Sequence, residues 1–174
     1  LGNNIEISGY TFANGYIVAD EFNGTLDGNN CGITFGTGEV NFAGKNIIMT
    51  VGAAGGLNVI LKTLLNPEDE VLTFAPYFVE YRSYVSNFGG KLIEVSPNAP
   101  TFQPKLDEFE QKITAKTKAV IVNTPNNPTG VIYSPETMKA LGAILEKKQE
   151  EIGHDIYLVS DEPYRELVYD GVSE

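Results

Sequence analysis

The segment AVIVNTPNNPTG, residues 119–130, joins an apolar run to a turn that contains two prolines. Its first four residues are small or β-branched and apolar, which is typical of a strand that is buried on both faces. Two prolines, Pro125 and Pro128, and a closing glycine, Gly130, then fix a rigid turn. The turn serves either for chain reversal alone or for a ligand, and its run of asparagine amides at the end of a strand favours the ligand.

Strand-like and helix-like segments alternate on either side of this stretch, from Lys45 onward. The predicted strands are Asn46–Thr50, Val71–Phe74, Leu92–Val95, Ala119–Asn123 and Ile156–Ser160. The predicted helices cover residues 57–65, 78–88, 106–113 and 135–151, and the last opens with Ser134 as N-cap and Pro135 at its first position. This alternation predicts an α/β protein with three layers, α/β/α, and a mostly parallel sheet.

The composition changes near Lys45, which divides the chain into two predicted domains. Residues 1–44 contain no lysine or arginine, five acidic residues and nine of the 18 glycines. Asn-Gly and Asp-Gly pairs at 23–24 and 27–28 are typical of hairpin turns. We expect residues 1–44 to be a Gly/Asn-rich acidic N-terminal segment of short strands or turns, with no assigned role, and residues 45–174 to form the α/β domain.

Charge and cysteine content exclude several classes of protein. The formal net charge is −11, from 12 Lys and Arg against 23 Asp and Glu, which disfavours binding to nucleic acid and to anionic membranes. The single cysteine, Cys31, cannot form an internal disulfide, and no Cys/His pattern indicates a metal site. Neither a membrane-spanning run nor a secretory signal is visible in the sequence. We therefore expect a cytoplasmic protein without nucleic-acid or membrane partners.

Three further strand ends carry unusual chemistry, and ligands of open α/β sheets bind at the carboxyl ends of the strands. The segment GAAGG at 52–56 suits a phosphate at a helix N-terminus, although an ordinary tight turn has the same composition. The segment APYFVEY at 75–81 offers either a flat aromatic wall or core packing. Asp161 follows an apolar run and either caps a turn or meets a cationic or N–H partner, and Tyr164 lies three residues on.

A nicotinamide-binding domain is one interpretation of the glycine-rich segment. Asp69 or Glu70 lies near the offset of about 20 residues that is expected of a ribose-binding acid. That interpretation explains neither Asn127 nor the pair Asp161 and Tyr164.

Residues 46–171 resemble the large domain of class I/II aminotransferases, the pyridoxal 5′-phosphate enzymes of fold type I, and are most similar to the aspartate-aminotransferase-like branch. The resemblance rests on Asn-Asn-Pro-Thr-Gly at 126–130, followed by Ser-Asp-Glu-Pro-Tyr at 160–164. It implies an incomplete fold type I large domain, pyridoxal 5′-phosphate as cofactor, and transfer of an amino group between an amino acid and a 2-oxo acid. It also implies a homodimer.

The resemblance assigns the cofactor's phosphate and ring to three residues. Ala53 and Ala54 match the turn whose backbone N–H groups hold the phosphate. Phe78 matches the aromatic residue that stacks on the pyridine ring.

Three more residues match positions that contact the polar atoms of the ring. Asn127 and Tyr164 match the two donors to its phenolic oxygen, and Asp161 matches the aspartate that pairs with its nitrogen. Such a carboxylate favours the protonated ring, because opposite charges in a dry site stabilise each other. The protonated ring withdraws electrons from the substrate. The resemblance therefore makes Asp161, at the ring nitrogen, and Tyr164, at the phenolic oxygen, the candidate catalytic residues.

The sequence also departs from the family that it resembles. In that family the lysine that binds the cofactor covalently, and two arginines for the phosphate and the substrate carboxylate, follow the Asp-x-x-Tyr motif. Here the only arginines are Arg82 and Arg165, and no lysine matches the Schiff-base motif. We therefore expect a truncated or partial aminotransferase chain that lacks this lysine.

Two other functions share the same anchoring residues and stay open. One is another fold type I activity, such as a lyase, a decarboxylase or a cyclopropane-forming synthase. The other is a non-catalytic module that binds pyridoxal phosphate or a partner, such as the aminotransferase-like half of a transcription regulator.

Overall fold

The computed structural model describes residues 50–164 and Leu167, together with five short strands within residues 1–49. The chain divides into two compact units, Leu1–Val51 and Gly52–Glu174. Among the described residues, no helix is long and apolar enough to cross a membrane.

The first unit contains a small sheet and a hairpin. Its strands are β1 (Ile5–Ile7), β2 (Thr11–Ala13), β3 (Tyr16–Val18), β4 (Gly32–Phe35) and β5 (Gly38–Asn41). β4 pairs in parallel with β1 and antiparallel with β5, while β2 and β3 pair antiparallel. Of the two alternatives predicted for residues 1–44, short strands or turns, the described residues form short strands. The predicted turns at 23–24 and 27–28 and residues 46–49 of the first predicted strand lie outside the described residues, and Thr50 is not in a strand.

The second unit is built on a four-stranded parallel sheet with the strand order β11–β10–β6–β7. Its helices are α1 (Gly52–Leu64), α2 (Glu80–Ser86), α3 (Leu106–Lys112) and α4 (Pro135–Ile152). Its strands are β6 (Glu70–Phe74), β7 (Lys91–Val95), β8 (Pro97–Asn98), β9 (Gln103–Pro104), β10 (Thr117–Asn123) and β11 (Tyr157–Asp161). The short antiparallel pair β8–β9 was not expected from the sequence.

The side chains of β10 alternate between two apolar cores, which places helices on both faces of the sheet. Val120 and Val122 pack in one core with residues of α3 and α4, including Phe109 and Leu141. Residues Ala119 and Ile121 pack in the other core, with residues of α1 and α2. The predicted three-layer α/β/α arrangement is therefore confirmed, and both faces of the central strand are buried as its apolar sequence indicated.

Helix α4 begins and ends as predicted, whereas α2 is shorter than expected. Ser134 caps α4 by accepting a hydrogen bond from the backbone N–H of Thr137 (3.1 Å). The prediction for α2 covered residues 78–88, but the helix covers only Glu80–Ser86, and Phe78 lies in the loop before it. At the other end the N–H of Gly90 bonds back to the carbonyl of Val85 (3.1 Å), which closes the helix.

One edge of the sheet in the described residues is the apolar strand β11. Tyr157 and Leu158 on this strand are 42% and 45% exposed. The ammonium group of Lys118 lies 5.4 Å from the centre of the Tyr157 ring and partly covers it. An edge strand with exposed apolar side chains readily pairs with another strand.

The carboxylate of Glu108 on α3 ties this helix to the residue that follows β7. Its Oε1 accepts hydrogen bonds from the backbone N–H (3.1 Å) and the hydroxyl (3.0 Å) of Ser96. The ammonium group of Lys112, one turn further along α3, donates to the same oxygen (2.6 Å). The bond from Lys112 and then those from Ser96 lower the pKa of Glu108 from 4.5 to about 2.

We predict that Glu108→Gln destabilises the protein at neutral pH and much less in acid. Since the pKa of Glu108 is lowered on folding, its stabilising effect is fully present above pH 4.5 and is lost as the pH falls towards about 2. Chemical denaturation of wild type and variant over this range measures the difference in the free energy of unfolding. Glu146→Gln, an exposed glutamate of α4, is the control. A difference that is constant with pH would contradict this role of the carboxylate.

Candidate functional site

The pairing of β10 with β11 brings the carboxyl ends of the two strands together. Asn123 lies opposite Asp161 in the register of this pair. The side-chain amide of Asn123 donates to the carbonyl oxygen of Asp161 (2.8 Å), and its oxygen accepts from the backbone N–H of Asn127 (2.7 Å). Asn123 is only 4% exposed, so one buried amide links the loops that follow both strands. From the sequence, Asn123 was one of the asparagines expected to offer an amide to a ligand, whereas its amide instead bonds the two loops to each other.

Asn127 and Tyr164 are in direct contact. The side-chain amide of Asn127 donates to the hydroxyl oxygen of Tyr164 (2.9 Å). The two residues that were predicted to share one ligand oxygen therefore lie side by side, 37 positions apart in the chain.

The carboxylate of Asp161 is nearly buried, and a tyrosine is its partner. Asp161 is 8% exposed, and the hydroxyl of Tyr81, a residue with no exposed surface, donates to its Oδ2. Burial, and then the bond to Asp161, raise the pKa of Tyr81 far above its ordinary value, so this hydroxyl stays protonated. A tyrosine hydroxyl thus takes the place of the cationic or N–H partner expected for Asp161. Tyr81 belongs to the segment 75–81, for which the sequence indicated an aromatic wall or core packing but no contact with Asp161.

Phe78 lies next to this pair. Its ring meets the ring of Tyr81 edge-on, with centroids 5.8 Å apart and planes at 78°. Phe78 is partly buried in the loop between β6 and α2. Through Tyr81, the structure brings the predicted stacking residue close to the predicted partner of the ring nitrogen.

A second buried asparagine holds the loop that carries Phe78. The side-chain amide of Asn126 donates to the carbonyl of Pro76 (3.3 Å). The amide oxygen of Asn126 accepts from the N–H (3.1 Å) and the hydroxyl (2.7 Å) of Thr129. Gly130 closes the turn with a φ of +72°, which favours glycine. The rigid turn predicted from the two prolines is thus fixed to the neighbouring loop.

Ala53 and Ala54 lie in the first turn of α1, because the helix begins at Gly52 rather than after the glycine-rich segment. Both alanines are exposed. The first N–H groups of a helix have no partner within it and are available to an anion. Among the described residues, no hydrogen bond joins either alanine to Asp161, Asn127 or Tyr164, so the structure does not link them directly to the other candidates.

Asp69 and Glu70, the candidate ribose-binding acids of a nicotinamide-binding domain, lie at the opposite end of the sheet from the candidate site. Glu70 begins β6 and Asp69 precedes it, whereas the candidate site is at the carboxyl ends of the strands. Asp69 accepts from the backbone N–H of Asn66 (2.9 Å), and Glu70 accepts from the hydroxyl of Thr114 (2.6 Å). Both carboxylates therefore serve local turns and contacts, which argues against a ribose-binding role.

The donors and acceptors of the site suit a flat polar ring. A nearly buried carboxylate favours a protonated ring nitrogen, and the amide and hydroxyl of Asn127 and Tyr164 suit a negatively charged oxygen. The aromatic side chain of Phe78 offers a surface for stacking. In the part of the chain that the structure describes, no group of three His, Cys, Asp or Glu side chains could hold a metal ion.

Comparison with known families and curated proteins identifies similar sequences. The family described as aminotransferase class I and II matches residues 33–173. A probable aspartate/prephenate aminotransferase of Thermus aquaticus is 43% identical over 73% of this chain and 32% of its own length. An aspartate aminotransferase of Bacillus subtilis is 37% identical over 76% of this chain and 32% of its own length. The chain thus spans about a third of the length of the curated relatives that it matches.

Solved structures show the same fold. An aminotransferase of Eubacterium rectale is 48% identical with a TM-score of 0.69, over 71% of this chain and 31% of the other. An aspartate aminotransferase of Thermotoga maritima is 38% identical with a TM-score of 0.65, over 72% of this chain and 32% of the other.

We predict that Asn123→Ala destabilises the protein by about 1–3 kcal/mol, because the N–H of Asn127 and the carbonyl of Asp161 lose their partner in a buried place. Chemical denaturation followed by circular dichroism measures this change. Asn87→Ala, which removes an exposed amide at the end of α2, is the control and should stay within about 0.5 kcal/mol of wild type. Equal effects of the two substitutions would show that the buried amide does not hold the two loops together.

Proposed function

Because the chain belongs to the class I and II aminotransferases, we propose that it binds pyridoxal 5′-phosphate and that the protein transfers an amino group between an amino acid and a 2-oxo acid. Members of this family depend on that cofactor. The observation that carries the proposal is the linked group at the ends of β10 and β11, in which Asn123 joins Asp161 to Asn127 and Asn127 bonds Tyr164.

Asp161 is proposed to hold the ring nitrogen of the cofactor. In a site with little water, the negative carboxylate stabilises a protonated ring more strongly than it would in solvent. When bound, the cofactor supplies an electron-withdrawing ring that stabilises the loss of a proton from the substrate. The task of Asp161 is to keep the proton on the ring nitrogen.

Asn127 and Tyr164 are proposed to bind the phenolic oxygen of the cofactor. The hydroxyl of Tyr164 accepts a bond from Asn127 and keeps its own proton for donation. The ring of Phe78 is proposed to stack on the cofactor and to exclude water from one face. The backbone N–H groups of Ala53 and Ala54 at the start of α1 are proposed to bind its phosphate.

The substrates and the assembly are proposals as well. We propose L-aspartate as the first amino donor to test, because several similar proteins are named aspartate or aspartate/prephenate aminotransferases. Residues 45–174 are proposed as the N-terminal part of the cofactor-binding large domain, and residues 1–44 have no proposed role. A cytoplasmic homodimer stays a prediction.

We predict that Asp161→Asn weakens binding of pyridoxamine 5′-phosphate roughly 10- to 100-fold, since a hydrogen bond between charged groups contributes about 1.5–3 kcal/mol. This form of the cofactor has no aldehyde, so it cannot react with surface lysines and obscure the measurement. Isothermal titration calorimetry gives the dissociation constant. Asp107→Asn, on the exposed side of α3, is the control and should bind like wild type.

Two results would contradict the proposal of cofactor binding: wild type that does not bind the compound, or Asp161→Asn that binds as well as wild type. Transfer itself is tested on the protein encoded by the complete reading frame that contains these residues, as formation of the 2-oxo acid from L-aspartate in the presence of a second 2-oxo acid. Cofactor binding without any transfer would favour the non-catalytic module over the aminotransferase.

A further inference from the structure

We propose that Tyr81 is a positioning residue, which orients the Asp161 carboxylate towards the cofactor, and that a surface cluster of Tyr77, Arg82 and Glu94 holds Tyr81 in place. The inference rests on the proposed function, because it concerns how Asp161 meets the ring nitrogen. It adds a set of side chains that differ from those proposed to bind the cofactor. Their contacts extend from one edge strand of the described sheet to the other.

Tyr81 and Asp161 are joined by a hydrogen bond. The hydroxyl of Tyr81 donates to Oδ2, one of the two carboxylate oxygens. A bond to one oxygen restricts rotation of the carboxylate, so the other oxygen keeps a fixed direction. Since both residues are buried, water does not easily replace the hydroxyl as a donor.

The ring of Tyr81 is packed between other aromatic and apolar side chains. The ring of Tyr77 lies parallel to it, with centroids 6.3 Å apart and planes at 7°, and Phe78 meets it edge-on. Tyr81 also belongs to the apolar core formed with Leu57 and Val85. Packed on several sides, the ring keeps its hydroxyl on Asp161.

Tyr77 is in turn held by hydrogen bonds to two charged side chains. Its hydroxyl donates to Glu94 (2.6 Å) and accepts from the guanidinium of Arg82 (3.0 Å). Arg82 and Glu94 also form an ion pair with each other. Glu94 lies on β7, so the contacts run from β7 through Tyr77 and Tyr81 to Asp161 on β11, at opposite edges of the described sheet.

The test compares two ligands that differ at one atom. Pyridoxamine 5′-phosphate carries the ring nitrogen, and its 1-deaza analogue carries a C–H group there and cannot pair with Asp161. We expect Tyr81→Phe, which keeps the ring and removes only the hydroxyl, to weaken binding of the first ligand about tenfold. Binding of the analogue should change less than twofold, because the phosphate and oxygen contacts remain.

Three further variants make the test specific. Tyr77→Phe should weaken only the nitrogen-containing ligand, by two- to fivefold, since the ring stays and its anchor is lost. Tyr157→Phe, an exposed tyrosine on β11, is the matched control and should change neither affinity. In an Asp161→Asn background, Tyr81→Phe should cause no further loss, because its effect acts through that carboxylate.

Each contrary outcome identifies what has failed. Equal weakening of both ligands by Tyr81→Phe would overturn the inference and leave Tyr81 a purely structural residue. Unchanged binding of both ligands, with wild type still preferring the one with the nitrogen, would overturn the inference and leave the proposed function intact. Wild type that binds both ligands equally well would overturn the proposed role of Asp161 and this inference with it. If Tyr81→Phe does not fold, the test relies on Tyr77→Phe. Equal changes in its affinity for the two ligands, or no change in either, would also overturn the inference.

Discussion

The parallel pairing of β10 with β11 is the constraint on which the candidate site depends. Its register places Asn123 beside Asp161, and the buried amide of Asn123 then fixes the loops after both strands. A slip of one residue would turn Asp161 to the other face of the sheet and separate it from Tyr81. The alternating burial of β10 in two apolar cores makes such a slip costly, so the hydrophobic core itself sets the geometry of the polar site.

The Asp161 side chain has little exposed surface, and burying a carboxylate is unfavourable unless it has hydrogen-bond or ionic partners. A charge removed from water needs strong partners, and the hydroxyl of Tyr81 is one that the structure shows. A carboxyl group with so little access to water is suited to pair with a positively charged ligand atom. Stability and ligand binding are therefore coupled here, because a ligand that pairs with Asp161 would also offset the cost of burying it.

Much of the fold and part of the site were predictable from the sequence. The apolar strand at 119–123 indicated a buried parallel strand, which the structure shows. The motifs in the loops that follow singled out Asn127, Asp161 and Tyr164 as candidates, and the structure brings Asn127 and Tyr164 into contact. Tyr81 was missed because its contact with Asp161 joins residues 80 positions apart, and local patterns carry no information on such contacts. The early start of α1 at Gly52 was missed for a different reason, since the three glycines among residues 52–56 have low helix propensity and are typical of a loop.

We propose that Asp161, Asn127 and Tyr164 contact one and the same cofactor molecule. A crystal structure of the protein with pyridoxamine 5′-phosphate would show whether they do. We expect a ring whose nitrogen lies about 3 Å from a carboxylate oxygen of Asp161 and whose phenolic oxygen lies at a similar distance from Asn127 and Tyr164. A ligand bound elsewhere, or a ring that reaches only one of these side chains, would contradict it.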